Sequence, residues 1–485
     1  MKLFLLVAAL LCTAAAKPLS KAALRNKLLL ISFDGFRWDY DQDVDTPHLD
    51  RLLQDGVKAK YLTPPMLTMT SPSHFTTITG RWVEDHEVVH NMMFNPETNQ
   101  KVPHKQTLTR FSVLYLLRFS VLYLVRFSVL YLFRFSVLYL LRFSVLYLVR
   151  FSGLYLVRFS GLYLVRFSGL YLGLKTASFY YPGGGANYSG QVVDRVVLEE
   201  PGHPDDNETE WRQNIDTVMR WFSEEDFHLV TLYYGEPDNV GHAKGPDHPD
   251  RKAIVRQIDR TIGYLREAIG RHGLTDGLNV ILTSDHGMTA VKKRPQVDEI
   301  VLSEYLNLLK LASFEILDYG GFGILTPRPG REQEVFDALS GAPNLTVYKK
   351  DQIPESFHLA RSARLPPIVV VADLGFNLNS RFIVYVNKGD HGYHSGEMDM
   401  KTIFRAFGPD LRSGFLAEPL DSVHVYALMC RLLSIQPAPN NGSLSATEEM
   451  LLPRGQAPRP PGPRPLRAPR PPGPRPLRAP RPQDP

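Results

Sequence analysis

The stretch NKLLLISFDGF, residues Asn26–Phe36, is an uninterrupted apolar run that ends in a carboxylate, Asp34. A run that is apolar at both odd and even positions is typical of a strand buried on both faces, as in parallel sheets. Two later stretches repeat this pattern, FHLVTLYYGEPDNVGH and LNVILTSDHGM, and helix-like segments separate them. The sequence therefore predicts an α/β fold with a mostly parallel central sheet and helices on both faces.

Metal-ligand side chains follow each of these strands, and a later DHG tripeptide, residues 390–392, adds another imidazole. Ligands of open parallel sheets bind at the carboxyl ends of the strands, so we expect these side chains to meet there. The candidates are three carboxylates and three imidazoles: Asp34, Asp238, His242, Asp285, His286 and His391. This mixed oxygen and nitrogen set suits Zn²⁺, and the sequence predicts a metal site at the strand ends.

A candidate nucleophile, Thr70, lies in the turn-forming run TPPMLTMTSPSHFTTITG, residues 63–80, between the first two strands. Its hydroxyl has two interpretations that the turn alone leaves open. It is an ordinary N-terminal cap of a helix, which Thr commonly provides, or it is a nucleophile activated by the neighbouring metals.

The N-terminus MKLFLLVAALLCTAAAK predicts a signal peptide over residues 1–16 and entry into the secretory pathway, with an extracellular or cell-surface location. Of the two cysteines, Cys12 lies in this signal, so the mature protein would have no internal disulfide. No hydrophobic C-terminal anchor is visible, and a secreted form is the expectation. The predicted N-glycosylation sites are Asn187, Asn207, Asn344 and Asn441.

Two repetitive segments do not follow the alternation of predicted strands and helices. Residues 110–173 are eight copies of an eight-residue unit, RFSVLYL or RFSGLYL plus a variable residue, and we expect this insertion to be aberrant and without a chemical role. Residues 453–485 form a Pro/Arg-rich tail that is predicted to be disordered. The arginines of these segments contribute more positive charge than the net +5 of the whole chain, so the remainder is acidic and we expect no nucleic-acid partner.

The strings FDGFRWDY, TMTSPSHFTTITG, GEPDNVGH, SDHGM and DHGY resemble the ectonucleotide pyrophosphatase/phosphodiesterase family of the alkaline phosphatase superfamily. The resemblance implies an alkaline-phosphatase-like catalytic domain made of residues 17–109 and 174–452. It also implies two Zn²⁺ ions and a phospho-threonine intermediate on Thr70, with Asn91 stabilising the phosphoryl oxygens. The implied ligand sets are Asp34, Thr70, Asp285 and His286 for one zinc, and Asp238, His242 and His391 for the other.

Within the family, the resemblance implies the sphingomyelin-cleaving type, which releases phosphocholine from phospholipids in membranes or bile-salt micelles. Lysophosphatidylcholine or platelet-activating lipids are further candidate substrates. A choline group needs an aromatic or anionic cage, for which Phe75, Tyr181 and Phe314 are candidates, although each is also explained by core packing. The alternatives are a nucleotide pyrophosphatase/phosphodiesterase and a catalytically dead homologue that the repeat has disabled.

The chain departs from the family pattern at positions that bear on the site. The repeat replaces a stretch that should form a helix against the catalytic sheet. Glu87 replaces a glycine, which would disturb the turn before Asn91 if that backbone needs a positive φ. His394 and Ser395 replace an Asp-Asn pair, which puts the support of His391 in doubt.

Overall fold

The computed structural model describes residues 26–95, 100–103, 174–186, 192–200, 203, 206–297, 299–317, 320–380 and 387–453. For residues 93–95, 100–103 and 313–317 only the backbone is described. The predicted signal peptide, the eight-residue repeat and all of the tail after Pro453 lie outside these ranges.

Strands and helices alternate along most of the described chain. The strands are β1 (Lys27–Asp34), β2 (Gly56–Ala59), β3 (Leu62–Thr63), β4 (Met92–Asn95), β5 (Gln100–Pro103), β6 (Thr176–Phe179), β7 (Arg195–Val197), β8 (Leu229–Pro237), β9 (Leu278–Ser284), β10 (Thr289–Ala290), β11 (Ile300–Val301), β12 (Ala312–Leu317), β13 (Phe322–Pro327), β14 (Leu345–Lys349), β15 (Ile368–Ala372), β16 (Leu378–Asn379), β17 (Gly389–Asp390), β18 (Phe404–Phe407), β19 (Phe415–Ala417) and β20 (Leu420–Asp421). The α-helices are α1 (Pro47–Asp55), α2 (Thr70–Thr79), α3 (Val83–His86), α4 (Glu208–Ser223), α5 (Asp238–Lys244), α6 (Pro249–Arg271), α7 (Leu308–Leu311), α8 (Glu332–Ser340) and α9 (Val425–Leu432).

The central sheet has eight strands in the order β19, β2, β18, β9, β1, β8, β6, β7. Neighbouring strands are parallel except where β18 pairs with β2 and β9. The opening stretch of the sequence forms β1 at the middle of the sheet, and β8 and β9 lie on either side of it. The predicted α/β fold with a mostly parallel sheet is confirmed, and segments on both sides of the repeat contribute strands to it.

Burial on both faces of β1 explains its continuous apolar sequence. Its odd-numbered residues Leu29, Ile31 and Phe33 pack with α1, α4 and α6, whereas Leu28 and Leu30 pack with α2 and α9 on the opposite face. All five are at most 1% exposed. Each face of a strand presents every second residue, so two apolar layers require an uninterrupted run.

A second, four-stranded sheet lies in the region between residues 312 and 372. Its order is β12, β13, β15, β14, and every pair is antiparallel. Helix α8 covers it through Val335 and Leu339, which are fully buried. No pattern in the sequence predicted this sheet. Among the helices of the described ranges, none is both long enough and apolar enough to cross a membrane.

Candidate active site

The three strands at the middle of the sheet bring their terminal carboxylates together. Asp34 is the last residue of β1, Asp285 directly follows β9, and Asp238 directly follows β8. Gly35 allows the close approach: its φ is +64°, and a Cβ atom there would lie 2.8 Å from Oδ1 of Asp238. Only glycine adopts this backbone conformation without cost and leaves the space that the neighbouring carboxylate occupies.

Two buried imidazoles turn a lone pair toward these carboxylates. Nδ1 of His286 is 3.0 Å from the carbonyl oxygen of Gly287, and Nδ1 of His391 is 2.9 Å from the carbonyl oxygen of Thr68. A carbonyl can only accept, so each Nδ1 carries the proton, and in the neutral ring Nε2 is left as a lone pair. The two rings stack with their centroids 3.5 Å apart.

The lone pair on His286 Nε2 faces carboxylate oxygens at short range. It lies 3.2 Å from Oδ1 of Asp34 and 3.4 Å from Oδ2 of Asp285. Nε2 of His391 lies 3.9 Å from Oδ1 of Asp238. These same three carboxylate oxygens are buried and have no hydrogen-bond partner. Lone pairs that converge in this way repel one another unless a proton or a metal cation lies between them, so the residues fit a metal site.

The third imidazole, His242, completes the group from one turn into α5. Its Nε2 is 3.2 Å from Oδ2 of Asp238, and its Nδ1 is 3.0 Å from the carbonyl oxygen of Gly389. The α-helix places residues four apart on the same face, which explains the spacing of Asp238 and His242.

The charges of the site also favour a bound cation. Burial and the nearby charge of Asp34 raise the pKa of Asp285 well above its usual value. Burial opposes a charged imidazole, but Asp285 and Asp34 outweigh it and raise the pKa of His286 to about 10. Burial and the neighbouring His286 and His242 lower the pKa of His391. A divalent cation would neutralise the carboxylates while the imidazoles stay neutral.

The ligand atoms form three overlapping trios, each with its atoms within 4.8 Å of one another. These are Asp34 with Asp285 and His286, Asp238 with His286 and His391, and His242 with Asp390 and His391. The first trio coincides with the protein ligands, besides Thr70, that the family resemblance implies for one zinc. The second predicted set, Asp238, His242 and His391, is also contiguous, although its members are divided between two trios.

Thr70 is the first residue of α2, and its side chain does not cap that helix. The cap position is Met69, and no side chain caps the helix N-terminus. The Thr70 hydroxyl instead lies 3.3 Å from Nε2 of His286. Of the two interpretations, the ordinary cap is therefore excluded, and the hydroxyl lies beside the candidate metal ligands.

Asn91 lies next to the nucleophile turn. Its Oδ1 accepts a hydrogen bond of 2.8 Å from the backbone N–H of Ser71. The amide oxygen is thereby engaged, and the Nδ2 group is the part of the side chain that can donate. Thr70 and Asn91 both line one cavity of about 230 Å³. The other residues that line it are Met69, Asp238, His242, Gly320, Gly321, Phe322, Asn387, Asp390, His391 and Gly392.

Phe75 and Tyr181, two of the residues predicted to hold a choline group, do not line this cavity. Phe75 is 6% exposed and lies beside His86, and Tyr181 is 3% exposed and donates its hydroxyl to the carbonyl of His74. Both are explained by packing within the core, the second interpretation that the sequence allows. The side chain of Phe314 lies outside the described residues.

A comparison with protein-family models matches residues 28–394 to the type I phosphodiesterase/nucleotide pyrophosphatase family. The chain belongs to this family of phosphodiesterases. It is 45% identical to ectonucleotide pyrophosphatase/phosphodiesterase family member 7 of Homo sapiens, over 95% of this chain and 90% of that protein. It is 44% identical to the Mus musculus member 7, over 88% of each.

Solved structures show the same family fold. Murine ectonucleotide pyrophosphatase/phosphodiesterase 5, as an inactive threonine-to-alanine variant in complex with AMP, matches with a TM-score of 0.70 and 29% identity. The match covers 88% of this chain and 100% of the murine chain. The chain is accordingly a phosphoric diester hydrolase with the alkaline-phosphatase-like fold that the sequence predicts.

Three polar residues around the phosphodiesterase site were missed by the sequence analysis. The Tyr233 hydroxyl donates to Oδ2 of Asp34 at 2.5 Å. Nδ1 of His74 lies 2.7 Å from the Thr70 carbonyl and 3.5 Å from Oδ2 of Asp285. Oδ1 of Asp390 accepts from the backbone N–H of His391. His74 could have been found because it follows Thr70 by four residues, one helical turn.

Two of the departures from the family pattern, Glu87 and His394, lie within the described residues. Glu87 has a φ of +64°, so the turn does need the left-handed conformation that favours glycine. Asn91 nevertheless bonds to the Ser71 backbone, as described above. His394 is exposed and accepts from the Gly396 N–H, whereas His391 is held by Thr68 and Asp390.

The predicted glycosylation sites differ in their accessibility. Asn207 and Asn441 are exposed, and Asn344 is half-buried with a φ of +58°. Asn187 lies outside the described residues. Exposure permits glycosylation at Asn207 and Asn441, and all four sites stay predictions.

Proposed function

We propose that this chain is a zinc-dependent phosphodiesterase of phospholipase C type that releases phosphocholine from sphingomyelin. One observation carries the proposal. The Thr70 hydroxyl lies 3.3 Å from Nε2 of His286, beside two carboxylate oxygens that have no hydrogen-bond partner. A hydroxyl beside a metal-ligand cluster is the arrangement of an activated nucleophile.

The proposed ligand sets are the two that the family resemblance implies, and the first of them includes the Thr70 hydroxyl. Bound by these residues, zinc would supply Lewis acidity that favours the alkoxide form of Thr70 and offsets charge on the phosphoryl oxygens. Thr70 Oγ1 then forms a bond to phosphorus while the bond from phosphorus to the ceramide oxygen breaks, and ceramide leaves with a proton. Water next cleaves the phosphocholine ester of Thr70 and restores the hydroxyl.

Asn91 has a supporting role in this proposal. Its oxygen is fixed by the Ser71 N–H, so the amide group is held in place at the cavity wall before substrate arrives. A preorganised donor stabilises the charge that develops on a phosphoryl oxygen in the transition state, without a cost of reorganisation.

The choice of sphingomyelin, with lysophosphatidylcholine and platelet-activating lipids as further candidates, rests on the 45% identity to family member 7. A nucleotide phosphodiesterase is the second candidate, because the murine member 5 structure contains AMP. We further propose an extracellular or cell-surface site of action on lipid in membranes or bile-salt micelles, without a nucleic-acid partner. The alternative is that the repeat makes the chain catalytically inactive. Activity of the full chain would exclude this alternative.

The test compares two substrates and two variants of the full chain. Phosphocholine release from sphingomyelin in bile-salt micelles should exceed turnover of a nucleotide ester. Thr70→Ala should abolish release, whereas Thr70→Ser, which keeps a hydroxyl, should retain part of it. Phosphocholine release by Thr70→Ala at the wild-type rate would refute the assignment of Thr70 as the nucleophile. Faster turnover of the nucleotide ester would move the substrate assignment to the second candidate.

A further inference from the structure

The turn before the nucleophile is held in an unusual backbone conformation. Leu67 has a φ of +89° and Thr68 a φ of +31°, and both residues are fully buried. Positive φ is uncommon for non-glycine residues and disfavoured for a β-branched side chain such as that of Thr68. Strain of this kind persists only where the surroundings hold it, and it concentrates at functional sites.

Two long-range hydrogen bonds hold the turn, and both connect it to the segment that carries His391. The Thr68 hydroxyl donates to the Tyr393 carbonyl at 2.8 Å. The Thr68 carbonyl lies 2.9 Å from Nδ1 of His391 and accepts its proton. Tyr393 is itself fixed, since it is fully buried and donates its hydroxyl to Oδ1 of Asn377 at 2.9 Å.

The second bond determines what His391 can do. Because Nδ1 donates to Thr68, Nε2 of the neutral ring is an acceptor, and it faces Oδ1 of Asp238. Groups that bond to the remote nitrogen of a ligand histidine fix its tautomer and its ring orientation, and their loss commonly weakens metal binding 10–100-fold. Thr68 is also only two residues from Thr70 in the chain.

We propose that Thr68 is a positioning residue that fixes the tautomer and orientation of His391 and joins the turn before the nucleophile to the segment that carries this ligand. The hydroxyl bond to Tyr393 keeps the turn in its left-handed conformation, and the turn presents the carbonyl to His391. This inference rests on the proposed zinc chemistry. It assigns to a backbone carbonyl the support of His391 that the Asp-Asn pair missing at His394 and Ser395 was expected to give.

The test measures zinc affinity rather than turnover. Thr68→Val keeps the branched shape and removes the hydroxyl, Thr68→Ser keeps the hydroxyl, and Thr68→Ala removes it with less bulk. Thr447→Val is the matched control, because Thr447 is also fully buried and donates its hydroxyl to a backbone carbonyl, that of Leu444. Each full-length protein is stripped of metal and titrated with zinc against a chromophoric chelator. The melting temperature of the stripped protein reports folding.

We expect wild type, Thr68→Ser and Thr447→Val to bind two zinc ions with the same affinities. Thr68→Val should bind one of the two about 10–100-fold more weakly and leave the other nearly unchanged. Unchanged binding of both ions by a folded Thr68→Val, or by a folded Thr68→Ala if the valine variant does not fold, would overturn the inference. Wild type without two bound zinc ions would instead refute the proposed function, so the two failures are distinguishable.

Discussion

Replacement of Glu87 by glycine sets two structural effects against each other. The glycine would relieve the left-handed backbone of Glu87, whose φ is +64°. It would also delete a buried carboxylate that accepts three hydrogen bonds from the segment of residues 362–364. The donors are Ser362 Oγ at 2.7 Å, Ala363 N at 3.1 Å and Arg364 N at 3.2 Å.

The magnitudes indicate which effect is larger. Relief of a left-handed non-glycine residue contributes about 1 kcal/mol. Loss of three hydrogen bonds to a buried charged acceptor costs roughly 4 kcal/mol, because each such bond is worth at least about 1.5 kcal/mol and the sum is only partly additive. We therefore expect Glu87→Gly to destabilise the docked segment by about 3 kcal/mol, although glycine is the residue that the family resemblance implies at this position.

Trypsin provides a local assay, because cleavage after Arg361 and after Arg364 falls at the two ends of the docked segment. A loss of about 3 kcal/mol raises the population of the open segment, and hence its cleavage rate, roughly a hundredfold when opening is fast. Glu87→Gln keeps one acceptor oxygen without charge, so its cleavage rate should fall between the rates of wild type and Glu87→Gly. Slower cleavage of Glu87→Gly than of wild type would refute the reasoning, because backbone strain would then be the larger effect.

Three further predictions concern other residues and the metals. Asp43→Ala should destabilise the protein by roughly 3 kcal/mol in urea unfolding, because Arg251 is fully buried and both its terminal nitrogens bond to Asp43. The Arg251 hydrogen bonds also lower the pKa of Asp43 to about 2, so its contribution is complete above about pH 4 and is lost as the pH falls toward 2. Asp43→Asn should therefore flatten the acid limb of the stability profile, and an unchanged limb would contradict this. Tyr233→Phe removes the bond to Asp34 and should weaken zinc binding about tenfold without loss of folding, whereas equal affinity would exclude this role. Removal of zinc by a chelator should lower the unfolding free energy by about 4 kcal/mol for each of the two proposed ions, relative to protein at a thousandfold excess of zinc over each dissociation constant, and added zinc should restore it.

The sequence predicts the sheet and the ligand set because both depend on local patterns. Residues 28–33 are apolar at both odd and even positions, with Ser32 as the exception, so burial on both faces follows without tertiary information. The carboxylate that follows this run is then expected at the carboxyl edge of the sheet. The role of Thr68 is not predictable in this way. It depends on bonds to Tyr393 and His391, more than three hundred residues later, and on backbone angles that no composition signal encodes.

The aromatic residues show that residue type alone does not predict a binding role. Phe75 and Tyr181 have the residue type that a choline cage requires, yet both are buried away from the cavity wall. Aromatic side chains serve core packing more often than ligand binding, and only tertiary placement separates the two roles. Phe322 lines the cavity. It was not predicted as a site residue, because it begins β13, a strand of the sheet that was not predicted.

Trapping the covalent intermediate tests the central claim most directly. Wild type is mixed with sphingomyelin and quenched in acid, and the tryptic peptide of residues 61–81, which contains Thr70, is analysed by mass spectrometry. The proposed mechanism predicts a phosphocholine addition on Thr70, which Thr70→Ala lacks. Phosphocholine release by wild type with no adduct on this peptide at any quench time, or an adduct on another residue, would contradict it.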